Sequence, residues 1–283
     1  MKKMKSNRTS SIVLHNLLIA ALAFIWLIPI VWLLCTSFSA YSGMNTSTFF
    51  PKEWSAVHYA KLFQPDSVAQ FPQWFMNTFI IACFTCIIST LFVLMVAYAT
   101  SVMRFPMRKP LMNMGVILNL FPGMLSMIAI YFTLKTFNLT NSHLGLILVY
   151  SASSGLGYLI AKGFFDTVPR ALDEAATIDG ATRNQIFWKI ILPMSKPIIV
   201  YTILTSFTGP WADFIFPRLL LGDSVDQYTV AVGLWKMLDR NNLETYFLQF
   251  CAGSVLVAVP ITALFLKMQK YYVEGVTGGA VKG

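Results

Sequence analysis

Three histidines, four cysteines and twelve carboxylates are the side chains of this 283-residue chain from which acid–base, nucleophilic or metal chemistry would have to be built. His15, His58 and His143 lie far apart, at the edges of apolar runs or between them. None stands with a serine or carboxylate at a spacing that would assemble a hydrolytic centre. Cys83 and Cys86 form a CxxC, but two thiolates on one apolar helix do not make the four-ligand set that zinc takes. With Cys35 and Cys251 they read as small buried hydrophobes. No Gly-x-x-x-x-Gly-Lys-Ser/Thr loop occurs, so the chain has no ordinary P-loop with which to hold ATP. The expectation is a protein that is not an enzyme and carries no cofactor or metal.

The residues of interest that remain are in the stretch EAATIDGATRNQIFWKIILPMSKP, 174–197. Before it, Thr167 is placed to cap a helix that admits Pro169 in its first turn, and Leu172, Ala175 and Ala176 recur at helical spacing. Gly180 suits the left-handed residue that ends such a helix, and Thr182 is placed to cap another. Ile186, Phe187, Ile190 and Ile191 give that second helix an apolar face until Pro193 and Pro197. The first helix is acidic (Asp173, Glu174, Asp179) and presents alanines where a lipid-adsorbing helix would carry bulky anchors. That pattern suits insertion into a protein groove.

Such a unit has to be held by what surrounds it, and the surroundings are apolar. Hydrophobic residues make up 56% of the chain and charged ones 12%; the mean hydropathy is +0.64. That is too little charge to coat a soluble globule. A bilayer core of about 30 Å takes about 20 apolar residues per helix, and residues 12–35, 78–99, 111–134, 144–161, 198–216 and 250–266 qualify. The first run follows a basic leader, but its length and the lack of a small-x-small cleavage site make it an anchor, not a signal peptide. With the N-terminus in the cytoplasm, only Lys52, Lys61, Lys135, Arg218, Lys236 and Arg240 of the 21 basic residues lie outside. The positive-inside rule therefore puts both termini in the cytoplasm. The net charge of +9 is mainly this topology signal, and no soluble basic domain exists to bind nucleic acid. The fold expected is an all-α membrane protein of six transmembrane helices: a cytoplasmic segment 1–11, a transmembrane domain 12–268 whose loop 166–197 is cytoplasmic, and a cytoplasmic tail 269–283.

Glu174-Ala175-Ala176, Asp179-Gly180-Ala181, Phe187, Ile190, Leu192-Pro193 and Pro197 resemble the EAA loop of bacterial binding-protein-dependent ABC importer permeases. HYAKLF (58–63), NTFIIA (77–82) and GPWADFIFP (209–217) resemble further segments of its carbohydrate permeases, and VEGVTGGAVKG (273–283) resembles the tail of the smaller permease subunit of maltose-type transporters. The resemblance implies a type I ABC importer permease architecture whose loop is the coupling helix, docked in a cleft of a separate cytoplasmic ATPase. It implies that Glu174 meets a basic or polar group there, that Ala175 and Ala176 permit close approach and that Gly180 makes the turn, with Asp179, Phe187, Leu192 and Pro193 completing the coupling set. The implied partners are a homologous larger permease subunit, two ATPase subunits, an extracytoplasmic solute-binding protein that the 218–244 segment reaches, an oligosaccharide cargo and membrane lipid. The tail from 278 would extend to the ATPase.

The route through the membrane has two readings. Thr205, Thr208 and Trp211, with Tyr150, Ser153 and Ser154, suit a path where hydroxyls and aromatic faces meet sugar, yet small and hydroxylated residues also cement membrane helices. Asp213, near the external end of its run, reads as a structural or gating contact in preference to a proton relay. An ion-coupled secondary sugar carrier is the alternative function; such carriers place ionisable groups mid-membrane and repeat their spans internally, and neither feature is evident here.

Overall fold

The computed structural model describes residues 2–44, 48–66, 68–103, 105–153 and 157–278, with side chains from 12 to 271. Ser154 and residues 279–283 of the tail therefore lie outside the described residues. In chain order the helices are α1 (Lys2–Ser37), α2 (Val57–Lys61), α3 (Phe71–Tyr98), α4 (Arg108–Asn119), α5 (Gly123–Thr136), α6 (His143–Ala152), α7 (Gly157–Phe165), α8 (Arg170–Ile178), α9 (Arg183–Ile186), α10 (Leu192–Met194), α11 (Lys196–Ala212), α12 (Ile215–Leu221), α13 (Val230–Met237) and α14 (Leu243–Gly278). The described residues contain no strand, only an isolated bridge between Ser39 and Trp54.

Three helices are long and apolar enough to cross a bilayer unbroken: Ile12–Ser37, Phe71–Met103 and Leu243–Tyr271. The other expected spans are bent, which the sequence did not announce. The third bends by 102° between α4 and α5. There Pro122, which lacks an amide hydrogen and disfavours helix at Phe121, starts a new helix at Gly123. The fourth bends by 42° between α6 and α7. The fifth was expected to run to Phe216; it ends at Ala212, because Asp213 is extended (φ −79°, ψ 124°) and α12 begins afresh at Ile215. A third bent pair joins Arg183–Met194 to α11 at 85°, and counting each of the three bent pairs as one span brings the total to as many as six among the described residues.

The chain divides into two compact units, residues 1–69 with 234–256 and residues 70–233 with 257–283. In the first, α1 is exposed from Ile12 to Val31, while Thr36 and Ser37 at its end are buried. The Ser37 and Tyr59 hydroxyls share a 2.7 Å hydrogen bond, and His58 Nε2 donates to the Tyr41 carbonyl at 2.9 Å. The Asp66 carboxylate accepts from the Val68 and Ala69 amides and from the Tyr246 hydroxyl at 2.9 Å.

In the second unit α3 is the central rod. Apart from Pro72 in its first turn it contains neither proline nor glycine, so nothing kinks it. It packs on α11, α6 and α7. Between α3 and α11 the Ser206 and Ser89 hydroxyls lie 3.2 Å apart and the Cys86 thiol reaches the Ile203 carbonyl at 3.6 Å. These are the short polar links that join helices where no hydrophobic effect drives association.

Candidate functional site

The loop between the fourth and fifth spans folds as the helix, glycine turn and helix that the sequence suggests, with one difference at its start. Thr167 does not cap the new helix; its hydroxyl donates to the Phe164 carbonyl at 2.7 Å and closes α7, while Pro169 occupies the N-cap of α8. At the other end of α8, Gly180 has φ +80°, a left-handed conformation that side-chain-bearing residues rarely adopt. The Gly180 amide donates to the Thr177 carbonyl at 3.1 Å and the Ala181 amide to Ala176 at 2.9 Å, the pairing that closes a helix on a left-handed residue. Two residues later Thr182 and Gln185 form a capping box that opens α9. Arg183 donates to Asp173 at 2.7 Å, joining α9 back to α8.

Burial splits the expected coupling residues into two groups. Ala176, Phe187, Ile186 and Ile191 sit in one core with Val93, Leu94, Ala97 and Tyr98 of α3, Ala161 and Phe165 of α7, and Ile198 of α11. Ala176 and Phe187 are thus spent inside the chain, contrary to the expectation that both alanines stand open for close approach. Only Ala175 is exposed, because the next residue faces the bundle at helical spacing. Glu174, Asp179 and Gly180 are also exposed, as is Pro193, and Leu192 is half-buried. Neither Glu174 nor Asp179 makes an ion pair among the described residues. Two apolar side chains absent from the expected set are also exposed: Ile178 of α8, at 86%, and Trp188 in the segment that follows α9. The signal of Ile178 was available, since a bulky hydrophobe on the acid-bearing side of an amphipathic helix has no solvent reason to be there.

Tyr98 also went unremarked in the sequence. It is 6% exposed, its hydroxyl donates to the Arg183 carbonyl at 3.0 Å and its ring centroid is 5.0 Å from that of Phe187. The π-helical turn Ala99–Met103 that follows α3 is bonded to the loop as well, through the Ser101 hydroxyl, which donates to Asp166 at 2.6 Å, while Asp166 pairs with Lys162. A polar cavity of about 280 Å³ opens beside these groups, lined by Ser101, Asp166, Arg170, Glu174 and Arg183 among others.

Higher in the same unit two cavities meet at Tyr150 and Ser153. The smaller, about 170 Å³, adds Thr85 and Ser89 of α3 and Thr205 and Ser206 of α11. The larger, about 840 Å³, adds Asn119, Tyr158, Phe216 and Asp213, and its size is within the range of about 300–1,000 Å³ common for small-molecule sites. The Tyr150 hydroxyl donates to Asp213 at 2.9 Å, and the other Asp213 oxygen accepts from the Ile215 and Phe216 amides, capping α12. The Thr205 and Thr208 hydroxyls donate to carbonyls one turn back on α11. Thr208 and Trp211 line neither cavity: Trp211 is buried between Phe75 and Phe207, at centroid distances of 5.1 and 5.9 Å. Among the described residues no group of three His, Cys, Asp or Glu is arranged to hold a metal ion.

A family profile described as the inner membrane component of binding-protein-dependent transport systems matches residues 90–273. The chain is 34% identical to the galactooligosaccharides transport system permease protein GanQ of Bacillus subtilis, over 99% of each chain. It is 33% identical to the maltodextrin transport system permease protein MalD of Streptococcus pneumoniae, covering 97% of this chain and 99% of that one. To the maltose/maltodextrin transport system permease protein MalG of Escherichia coli K12 it is 32% identical, over 99% and 98%. Its fold is similar to that in the crystal structure of a bacterial ABC transporter involved in the import of the acidic polysaccharide alginate, with a TM-score of 0.80, 22% identity, and 94% of this chain and 98% of that chain covered. With a profile over most of its bent and straight spans and relatives along nearly its whole length, this chain belongs to the family of binding-protein-dependent transport system inner membrane components.

Proposed function

We propose that this chain is the permease subunit of an ATP-driven importer of maltodextrin-like or galacto-oligosaccharides. It pairs with a homologous, larger permease chain, two separate ATPase subunits and an extracytoplasmic sugar-binding protein. The setting is a bacterial cytoplasmic membrane, with both termini and the tail 269–283 in the cytoplasm and residues 12–268 forming the transmembrane domain. The cargo class follows the names of the relatives. The coupling role is supported by one observation above all, a doubly capped helix–glycine–helix unit rooted in the bundle by Ala176 and Phe187 that turns Glu174, Ala175, Asp179 and Ile178 outward.

In this reading the ATPase grips the outward face of α8, with Glu174 and Asp179 meeting its basic or polar groups and Ile178 entering an apolar recess. Gly180, Leu192 and Pro193 fix the path of the loop. ATP-driven closure of the ATPase pair moves the loop and switches the membrane helices between inward-open and outward-open states. Tyr150, Ser153, Thr205 and Asp213 line this chain's share of the sugar path, with Ser154 beside them in sequence, and Trp211 and Thr208 brace the wall behind it.

The test is uptake of labelled malto- and galacto-oligosaccharides into proteoliposomes holding the reconstituted complex, for the native chain, Glu174→Ala and Gly180→Trp. ATP-dependent uptake that both loop variants abolish, with the complex still assembled, is the expected result. Uptake that persists without ATP and follows an imposed ion gradient would replace the reading with an ion-coupled carrier.

A further inference from the structure

One helix carries a latch at each of its ends. At the cytoplasmic end of α3, Tyr98 holds the Arg183 carbonyl and stacks on Phe187, and the Arg183 side chain is paired with Asp173, so this one residue touches the point where α8 and α9 are tied. At the other end, Trp74, Asn77 and Thr78 hold the segment between α12 and α13. The Trp74 indole donates to the Val225 carbonyl at 2.9 Å. The Asn77 amide donates to the Asp226 and Tyr228 carbonyls at 2.8 and 3.0 Å. The Thr78 hydroxyl accepts from the Val230 amide at 2.7 Å, capping the start of α13. Trp74, Thr78 and Val230 are all wholly buried, so water offers these groups no substitute partner.

From Thr78 to Tyr98 the helix makes 20 residue steps, about 30 Å at 1.5 Å per residue. This stretch has no proline or glycine, and its middle is fastened to α11 through Ser89 and Ser206. The covalent route out of the loop is different in kind, since the chain bends by 85° between Met194 and α11. A bend absorbs displacement, whereas an unkinked helix passes it on. We infer that α3 is a connecting rod: movement of the cytoplasmic loop, gripped at Tyr98, is delivered to the 225–230 segment through Trp74, Asn77 and Thr78, and displacement of that segment is returned to the loop. This rests on the proposed function for what drives the loop end, and on the implied reach of the 218–244 segment to the binding protein for what drives the other. Because the coupling free energy between two binding sites is reciprocal, docking outside and closure of the ATPase pair on the loop bias one another through the rod, and the hydrolysis that follows closure reports on it.

The experiment uses the reconstituted complex with the sugar-loaded binding protein and compares the native chain with Tyr98→Phe, Thr78→Val, Thr78→Ser and the double variant Tyr98→Phe/Thr78→Val. Assembly is checked by co-purification with the ATPase. Expected for Tyr98→Phe and Thr78→Val is a loss of about fivefold or more in the rise of ATP hydrolysis on adding loaded binding protein, with hydrolysis in its absence unchanged. Thr78→Ser, which keeps the hydroxyl, restores the response. The double variant is no worse than either single, because one rod is already disconnected. An undiminished response in both single variants, or losses that multiply in the double, overturns the rod while leaving the proposed function standing. A native complex in which ATP drives no uptake overturns the proposed function and the rod with it.

Discussion

Single positions in this chain are constrained by close approach and by burial of groups that ionise. A Cβ at Gly233 would run into the buried Trp74 indole, so Gly233→Ala forces the ring or the start of α13 to shift. Overpacking of this kind costs about 1–3 kcal/mol, to be read as a lower denaturation midpoint of the purified protein. His58 presents a pH effect. Burial lowers its pKa below the ordinary 6.5, nearby Lys61 adds to the shift and the hydrogen bond to Tyr41 opposes it. The unfolded chain then takes up the proton more readily than the folded one. Stability is full above about pH 6.5 and is lost as pH falls through the lowered folded value. Thermal unfolding between pH 7.5 and 5 shows this acid loss in the native chain, and His58→Gln removes that component. Asp66 is distinct: burial alone would raise its pKa, yet the amides of Val68 and Ala69 and the Tyr246 hydroxyl hold it low, so its contribution is lost only at pH below the usual 3.8.

At the level of elements, the loop was the most legible part of the chain and the bent spans the least. Thr182 before an amphipathic run, with Gln185 three residues on, is a local signature that needs no tertiary context, and the structure forms both of its hydrogen bonds. Thr167 misled for a related reason: its hydroxyl had two backbone partners within reach, and the carbonyl of Phe164 won. Hydropathy counts apolar residues without regard to direction, so residues 111–134 looked like one helix although Pro122 turns it by 102°. The cavity set was half legible. Tyr150, Ser153, Thr205 and Asp213 do meet empty volume, but Trp211 faces Phe75 and Phe207, a choice between two sides of α11 that composition does not encode. Thr182→Ala removes the cap and is expected to cost about 1 kcal/mol of local stability, read as faster hydrogen exchange at Ile186 and Phe187 with little change in the spans.

For the molecule as a whole, the sequence disclosed a membrane protein of six spans, and their orientation rests on the distribution of lysine and arginine. That orientation has a direct check in sealed, right-side-out vesicles. A cysteine at exposed Ile178 is expected to react with a membrane-impermeant thiol reagent only after permeabilisation, and one at exposed Asp223 to react at once. The native thiols interfere little: Cys35 and Cys251 are buried, and Cys83 and Cys86 lie mid-helix in α3. What remained invisible in the sequence is long-range: the Tyr98 contact spans 85 positions and the Trp74 and Asn77 contacts about 150.

The turn at Gly180–Thr182 closes one helix and opens the next within three residues, with every amide in it already bonded inside the chain. Such a surface is finished before anything meets it. Under the proposed function, the ATPase that docks here has no loop to freeze, and the association forgoes the ordering entropy that a floppy recognition segment costs. Recognition then resembles a key already cut, and substitutions that soften the turn weaken complex formation through lost order even where every contacting side chain is kept.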